Sequence, residues 1–148
     1  VGCLGKVIDF QKSKDGRILL NLSGLTRFEI KGEIKNNRLY REFEVGYEKF
    51  LLDTEDEEKI SVEQKRIDHL FEKIKNFFKK NGLLLNWKEF ENLEQIQQIN
   101  TLAMIAPISN EEKQKLLETI TINDKIKTLS EIIEFYLYES NSESITVQ

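Results

Sequence analysis

The spacing of apolar residues changes once along this chain, near residue 55, and this change constrains the fold more than any single motif. Before it, apolar and polar residues alternate, as at Phe43, Val45 and Tyr47. After it, apolar residues recur every three or four positions, as at Ile67 and Leu70. Alternation is typical of a strand, and the longer period is typical of a helix. The sequence therefore predicts an α+β protein, in which an antiparallel β lobe is followed by a helical bundle.

The β lobe is predicted within residues 1–52. Four apolar runs favour strands at residues 4–10, 18–22, 27–34 and 39–47. Asp15-Gly16, Ser23-Gly24 and Asn36-Asn37 lie between these runs, and residues of these types favour turns. An open sheet of three or four strands has edges that must be paired or covered. We therefore expect an unpaired edge in this lobe.

The rest of the sequence predicts a linker, a bundle and a tail. Residues 53–60 include an acidic run that indicates a solvated linker, residues 61–140 indicate the helical bundle, and residues 141–148 a flexible tail. Ser61 with Gln64 and Ser109 with Glu112 have the spacing of a capping box, which opens a helix. Other helix boundaries are predicted at Asn81-Gly82, Asn86 with Glu89, Pro107, and Thr121 or Asp124.

The distribution of charge disfavours two classes of partner. The chain has 148 residues and a formal net charge of -4. Residues 1–50 carry ten Lys/Arg and seven Asp/Glu, whereas residues 51–148 carry twelve and nineteen. A general nucleic-acid binder concentrates basic residues on one face, so nucleic acid is a disfavoured partner. Every apolar run is shorter than the roughly 20 residues that span a bilayer, so no membrane partner is predicted.

Catalytic and metal-binding motifs are absent from the sequence. Its glycines have neither the spacing of a P-loop nor that of a dinucleotide-binding signature. The single His69 and the single Cys3 lack partners at the spacing of a metal or catalytic site. We expect His69 at the surface or at the boundary of the core, and Cys3 buried at the start of a strand. One cysteine cannot form an internal disulfide, which favours a cytoplasmic location. The sequence predicts no enzyme and no cofactor.

Three features near the start of the chain occur in an order found in a known family. Gly2-Cys3-Leu4-Gly5 opens a strand, Asp15-Gly16 follows as a turn, and Gly24-Leu25-Thr26-Arg27-Phe28 closes the second run. This order resembles the substrate-binding (N-terminal) domain of the Lon protease family. In that family, a Gly-Cys/Thr-x-Gly/Ala start leads into a strand, an Asp-Gly turn and a Gly-hydrophobic-x-Arg-Phe/Ala ending.

A second passage resembles small bacterial relatives that consist of this domain alone. Their sequences run Asn-x-Leu-Ala-x-x-Pro-Phe-Ser and, two residues later, Glu-Lys-Gln-x-Leu-Leu-Glu. The matching segments here are Asn100-Thr101-Leu102-Ala103-Met104-Ile105-Ala106-Pro107-Ile108-Ser109 and Glu112-Lys113-Gln114-Lys115-Leu116-Leu117-Glu118. The resemblance covers roughly residues 2–135.

The resemblance implies a PUA-like β lobe, a helical bundle and non-catalytic recognition of protein segments. The ATPase and Ser-Lys protease domains of full-length Lon have no counterpart in this sequence. The family's opening strand, its Phe-Pro-Leu turn and its Glu-x-Arg-Tyr helix are also missing, so we expect the chain to begin inside the domain. An unpaired sheet edge would then allow self-association. RNA binding is the alternative, because PUA-like folds in other families contact RNA.

Six residues are candidates for protein binding: Arg27, Tyr40, Tyr47, Phe50, Trp87 and Phe90. Aromatic residues and arginine are the usual anchors of protein interfaces. Core packing is the favoured alternative for Trp87 and Phe90, and an outward strand position explains Arg27 equally well. The expected partners are unfolded or partly folded protein segments.

Overall fold

The computed structural model describes residues 1–54 and 62–142. The chain divides into two compact units, Val1–Asp56 and Glu57–Gln148. The described part of the first unit holds a three-stranded antiparallel sheet, and that of the second holds five α-helices. The predicted α+β class is therefore confirmed.

The sheet consists of β1 (Gly2–Lys12), β2 (Ile18–Ile34) and β3 (Glu42–Gly46), in the order β1-β2-β3. The first part of β2 pairs with β1, and its last part pairs with β3. The predicted Asp15-Gly16 turn joins β1 to β2, and Gly16 has a φ of 86° that favours glycine. β1 and β2 thus form a long hairpin.

The predicted turn at Ser23-Gly24 is wrong, because β2 continues through both residues. Gly24 pairs with Gly5 across the hairpin, and the adjacent Leu25 has no partner in β1. Such a β-bulge lets one strand carry an extra residue without reversing the chain. The glycine therefore marks an irregularity within a strand rather than the end of one.

A 3-10 segment, Glu48–Thr54, follows β3 and packs against β2. Its Phe50 is fully buried, and the Arg27 guanidinium lies 4.4 Å from the centre of the Phe50 ring. Asp53 accepts hydrogen bonds from Arg27 Nε at 2.8 Å and from Arg27 Nη2 at 2.6 Å. The interpretation of Asp53 as a solvated linker residue is wrong, because this ion pair holds its carboxylate against β2. Residues 55–60 of the predicted linker lie outside the described residues.

The helices of the second unit are α1 (Gln64–Lys80), α2 (Trp87–Phe90), α3 (Gln95–Ile105), α4 (Asn110–Glu118) and α5 (Ile122–Ser142). Their apolar faces form one core, in which α1 packs against α5. The buried core residues are Ile67, Leu70, Ile74, Phe77, Phe78, Phe90, Ile99, Leu102, Ala106, Ile108, Leu116, Ile126, Leu129 and Ile133.

Several predicted helix boundaries are confirmed by their hydrogen bonds. Ser109 and Glu112 form the reciprocal capping box at the start of α4. Asn86 accepts the Glu89 N–H ahead of α2, and Gly82, with a φ of 66°, follows α1. The Ser61 cap predicted for α1 lies outside the described residues. α5 extends to Ser142, within the stretch predicted as a tail, and residues 143–148 are not described.

Candidate functional site

The strand register sorts the side chains of the β1–β2 hairpin into two faces. Residues directly opposite each other in a sheet project to the same face, and successive residues of one strand alternate. Leu22, Leu20 and Ile18 therefore share a face, and they pair with Val7, Phe10 and Lys12, respectively. We call Val7, Phe10, Ile18, Leu20 and Leu22 the apolar hairpin face.

The opposite face of the hairpin is mostly polar. It carries the pairs Lys6 with Ser23, Asp9 with Asn21, and Gln11 with Leu19. Leu19 is the exception, since its side chain is apolar. A difference of this kind between two faces is typical of a sheet in which one face packs against another layer.

The apolar hairpin face is exposed among the residues that the structure describes. The exposed fractions are 51% for Val7, 67% for Phe10, 61% for Ile18, 51% for Leu20 and 58% for Leu22. Soluble proteins rarely expose contiguous apolar patches larger than a few hundred Å², and larger ones mark interaction sites. Covering the exposed half of each side chain would gain about 1 kcal/mol per residue. The face is therefore a candidate for binding an apolar partner.

The outer edge of β1 adds hydrogen-bonding groups beside this face. Within the described part of the chain, β1 pairs with β2 alone, so it is an edge strand. Edge strands present unpaired N–H and C=O groups that can pair with an added strand. An extended segment could therefore use main-chain hydrogen bonds at the edge and apolar contacts on the face.

The turn of the hairpin carries a local ion pair. Arg17 donates from Nε to Asp15 Oδ2 at 2.7 Å, and its backbone N–H also reaches that carboxylate. These hydrogen bonds hold the pKa of the Asp15 carboxyl below its usual value. Arg17 thus compensates the Asp15 charge, and Lys14 is the third charged residue between Lys12 and Ile18.

The six candidates from sequence fall in both units. In the first unit, Arg27 covers the buried Phe50, Tyr40 is 58% exposed, and Tyr47 is 38% exposed beside the Phe28 ring. In the second unit, Phe90 is buried, and the half-buried Trp87 packs on it with ring centroids 5.5 Å apart. The structure thus brings Arg27 together with Phe50 and Trp87 together with Phe90.

Sequence reasoning missed the apolar hairpin face, although the signal was available. The Asp15-Gly16 turn fixes which residues of the two strands face each other, and that register places Phe10 beside Leu20. The expectation that Cys3 is buried is wrong, because the thiol lies on this same uncovered hairpin and is exposed. His69 is exposed, in line with its prediction.

Residues 1–54 and 62–142 contain neither a metal-binding cluster nor a membrane-spanning helix. Nowhere in these ranges do three His, Cys, Asp or Glu side chains lie close enough to hold a metal ion. Over the same residues, the helices are too short or too polar to cross a membrane.

One family of known proteins matches most of this chain. The model of the ATP-dependent protease La (LON) substrate-binding domain matches residues 1–134. No curated protein matches the chain. The family match includes the hairpin, β3 and the helices up to the greater part of α5. The chain therefore belongs to the family of LON substrate-binding domains.

Proposed function

We propose that this chain is a non-catalytic protein-recognition module that binds extended, apolar segments of other proteins on the apolar hairpin face. The observation that carries the proposal is the exposure of five large apolar side chains on one face of a two-stranded ribbon. The family match supports the choice of a protein partner, because the matching domain is described as substrate-binding.

An unfolded protein segment is chemically complementary to the hairpin. Its apolar side chains are in water, and its main-chain N–H and C=O groups have no protein partners. The apolar hairpin face can cover the apolar side chains of the segment, and the edge of β1 can form hydrogen bonds with its main-chain groups. Because the main-chain contacts do not depend on the side chains, this mode of binding tolerates many sequences.

The residues predicted from sequence have different places in this proposal. Tyr40 and Tyr47 remain accessible and can extend the binding surface of the first unit. Arg27 and Phe50 support the sheet, and Trp87 and Phe90 belong to the helical core. RNA binding is less well supported, since the five exposed side chains that define the apolar hairpin face are apolar rather than cationic. A PUA-like lobe and a cytoplasmic location stay predictions.

The decisive experiment compares two neighbouring leucines on opposite faces of β2. Leu20→Ser removes an apolar side chain from the apolar hairpin face, whereas Leu19→Ser removes one, 69% exposed, from the polar face. The probe is a fluorescein-labelled, carboxymethylated model protein that cannot fold, and binding is measured by fluorescence anisotropy. We expect Leu20→Ser to weaken binding about fivefold, because it deletes apolar contact area, and Leu19→Ser to leave it unchanged.

Two results would contradict the proposal. One is an equal effect of the two substitutions, and the other is no binding by the unmodified protein. Sedimentation velocity of the same proteins separates substrate binding from self-association. A concentration-dependent dimer that Leu20→Ser abolishes would show that a second copy occupies the face.

A further inference from the structure

The helical unit has a groove of about 370 Å³ between α3, α4 and α5. Ala103, Met104, Leu116 and Leu117 supply its apolar surface, and Lys113 and Lys125 stand at its rim. We call it the lysine-rimmed groove. Its volume lies within the range of sites that hold a side chain or a small ligand.

Met104 gives the groove an exposed and flexible apolar side chain. It is the only methionine in the chain and is 69% exposed, although it lies on a helix whose neighbouring Leu102 is fully buried. Methionine adapts its shape to different apolar partners and is frequent on surfaces that bind many ligands. Its position here gives the groove an adaptable apolar wall.

The two lysines are held in place by hydrogen bonds. Lys113 Nζ donates to the Met104 carbonyl oxygen at 3.0 Å, and Lys125 Nζ donates to Asn100 Oδ1 at 2.8 Å. An ammonium group has three N–H donors, so the bond from Lys113 to Met104 uses one of the three. The contact fixes the Lys113 charge beside the apolar wall without neutralising it.

The sign of the charge in the groove is opposite to that of its surroundings. Residues 57–148 carry twelve Lys/Arg and sixteen Asp/Glu. The described residues that line the groove include two lysines and no acidic residue. The Glu118 carboxylate lies close by and accepts a hydrogen bond from Gln114 at 2.7 Å. A cationic rim on an acidic unit favours a ligand that carries negative charge.

We propose that the lysine-rimmed groove binds a short acidic peptide segment in which an apolar side chain is followed by Asp or Glu. The apolar side chain packs against Met104 and Leu117, and the carboxylate pairs with Lys113. This site is separate from the apolar hairpin face and does not rest on the function proposed for it.

The test uses a fluorescein-labelled 12-residue peptide with one Leu-Glu-Glu step, and a second peptide in which both Glu are replaced by Gln. We expect the acidic peptide to bind more tightly than the Gln peptide. Lys113→Gln should lower the affinity for the acidic peptide about threefold, as for the loss of an exposed ion pair. Raised salt should reduce the difference between the two peptides, because it screens exposed charges. Lys113→Arg should restore binding of the acidic peptide.

Lys127→Gln is the matched control. Lys127 lies on α5, is 69% exposed in its side chain and is outside the groove lining. Met104→Ser should weaken both peptides equally, because it removes apolar contact only. The proposal is overturned if neither peptide binds or if Lys113→Gln and Lys127→Gln have the same effect. The function proposed for the hairpin is tested separately. If the Lys113→Gln variant still binds the unfolded model protein, and adding Leu20→Ser to it still weakens that binding, the hairpin proposal holds whether or not the groove binds the acidic peptide.

Discussion

Arg27 shows how a single side chain can support a sheet that has little core of its own. Its guanidinium stacks on the buried Phe50 ring and forms two hydrogen bonds with the Asp53 carboxylate. Asp53 also accepts the backbone N–H of Arg27 at 2.9 Å. The side chains of both partners are mostly buried, with 12% and 19% exposed. Charge-assisted bonds in such a setting are stronger than those on the surface.

Asp53→Asn should destabilise the first unit by about 2 kcal/mol, because it removes the charge that pairs with Arg27. Hydrogen exchange of the β2 amides, followed by mass spectrometry, measures the effect. Asp15→Asn is the control, since the Asp15–Arg17 pair is exposed and such pairs contribute less than about 1 kcal/mol. Equal exchange rates in the two variants would show that the Arg27–Asp53 pair has no special role.

Helix α4 is held at its start by two elements. Its capping box joins Ser109 to Glu112, and the Tyr136 hydroxyl of α5 donates to Glu112 Oε2 at 2.8 Å. Burial alone would raise the pKa of the Glu112 carboxyl. The hydrogen bonds from Tyr136 and Ser109 together outweigh it and set that pKa below its ordinary value of 4.5. The ionised form of Glu112 is thus the one that stabilises the fold.

The lowered pKa gives this contact a defined dependence on pH. A carboxyl whose pKa is lower in the folded state stabilises the protein above its unfolded pKa, and this contribution is lost as the pH falls through the folded value. Tyr136→Phe should lower the free energy of unfolding by about 1 kcal/mol at pH 7, and by less at pH 3. Urea unfolding followed by Trp87 fluorescence reports on the helical unit.

Tyr138→Phe is the control for this experiment, because Tyr138 is on the same helix and 76% exposed. It should leave the free energy of unfolding unchanged at both pH values. A loss for Tyr136→Phe that is the same at pH 7 and pH 3 would show that the ionised Glu112 carboxylate does not contribute.

At the scale of the whole molecule, the two units differ in how much apolar surface they bury. All fourteen residues of the core cluster belong to the second unit. In the described part of the first unit, Phe50 is the one large apolar side chain that is fully buried. Small sheets are stable when an apolar face is packed against another layer, so the units should differ in independent stability.

A fragment of residues 62–148 should therefore fold alone into a helical structure with a cooperative thermal transition. A fragment of residues 1–54 should show no cooperative transition, because its apolar hairpin face stays in water. Far-UV circular dichroism during heating measures both fragments. A sharp transition of the shorter fragment at low concentration would contradict this prediction, since it would show that the sheet is stable without a covering layer.

Local chemistry explains which parts of the fold were predictable from sequence. The capping box at Ser109 and the stop at Gly82 depend on residues a few positions apart, so their sequence patterns are sufficient. The burial of Asp53 depends on Arg27, which lies 26 positions earlier in the chain. Alternation shows that Phe10 and Leu20 belong to one kind of face, but it does not show whether another layer covers them. The lysine-rimmed groove combines residues of three helices, and no local pattern indicates it.

The exposed hairpin face has a consequence for the thermodynamics of any complex it forms. A partner that covers the face supplies a layer that the described residues do not place there, so its free concentration becomes one of the variables that set the stability of the first unit. Burial of that apolar surface makes the heat-capacity change of association negative. The logarithm of the association constant will consequently be a curved function of 1/T rather than a straight line. For this unit, binding of a partner and folding are therefore linked equilibria.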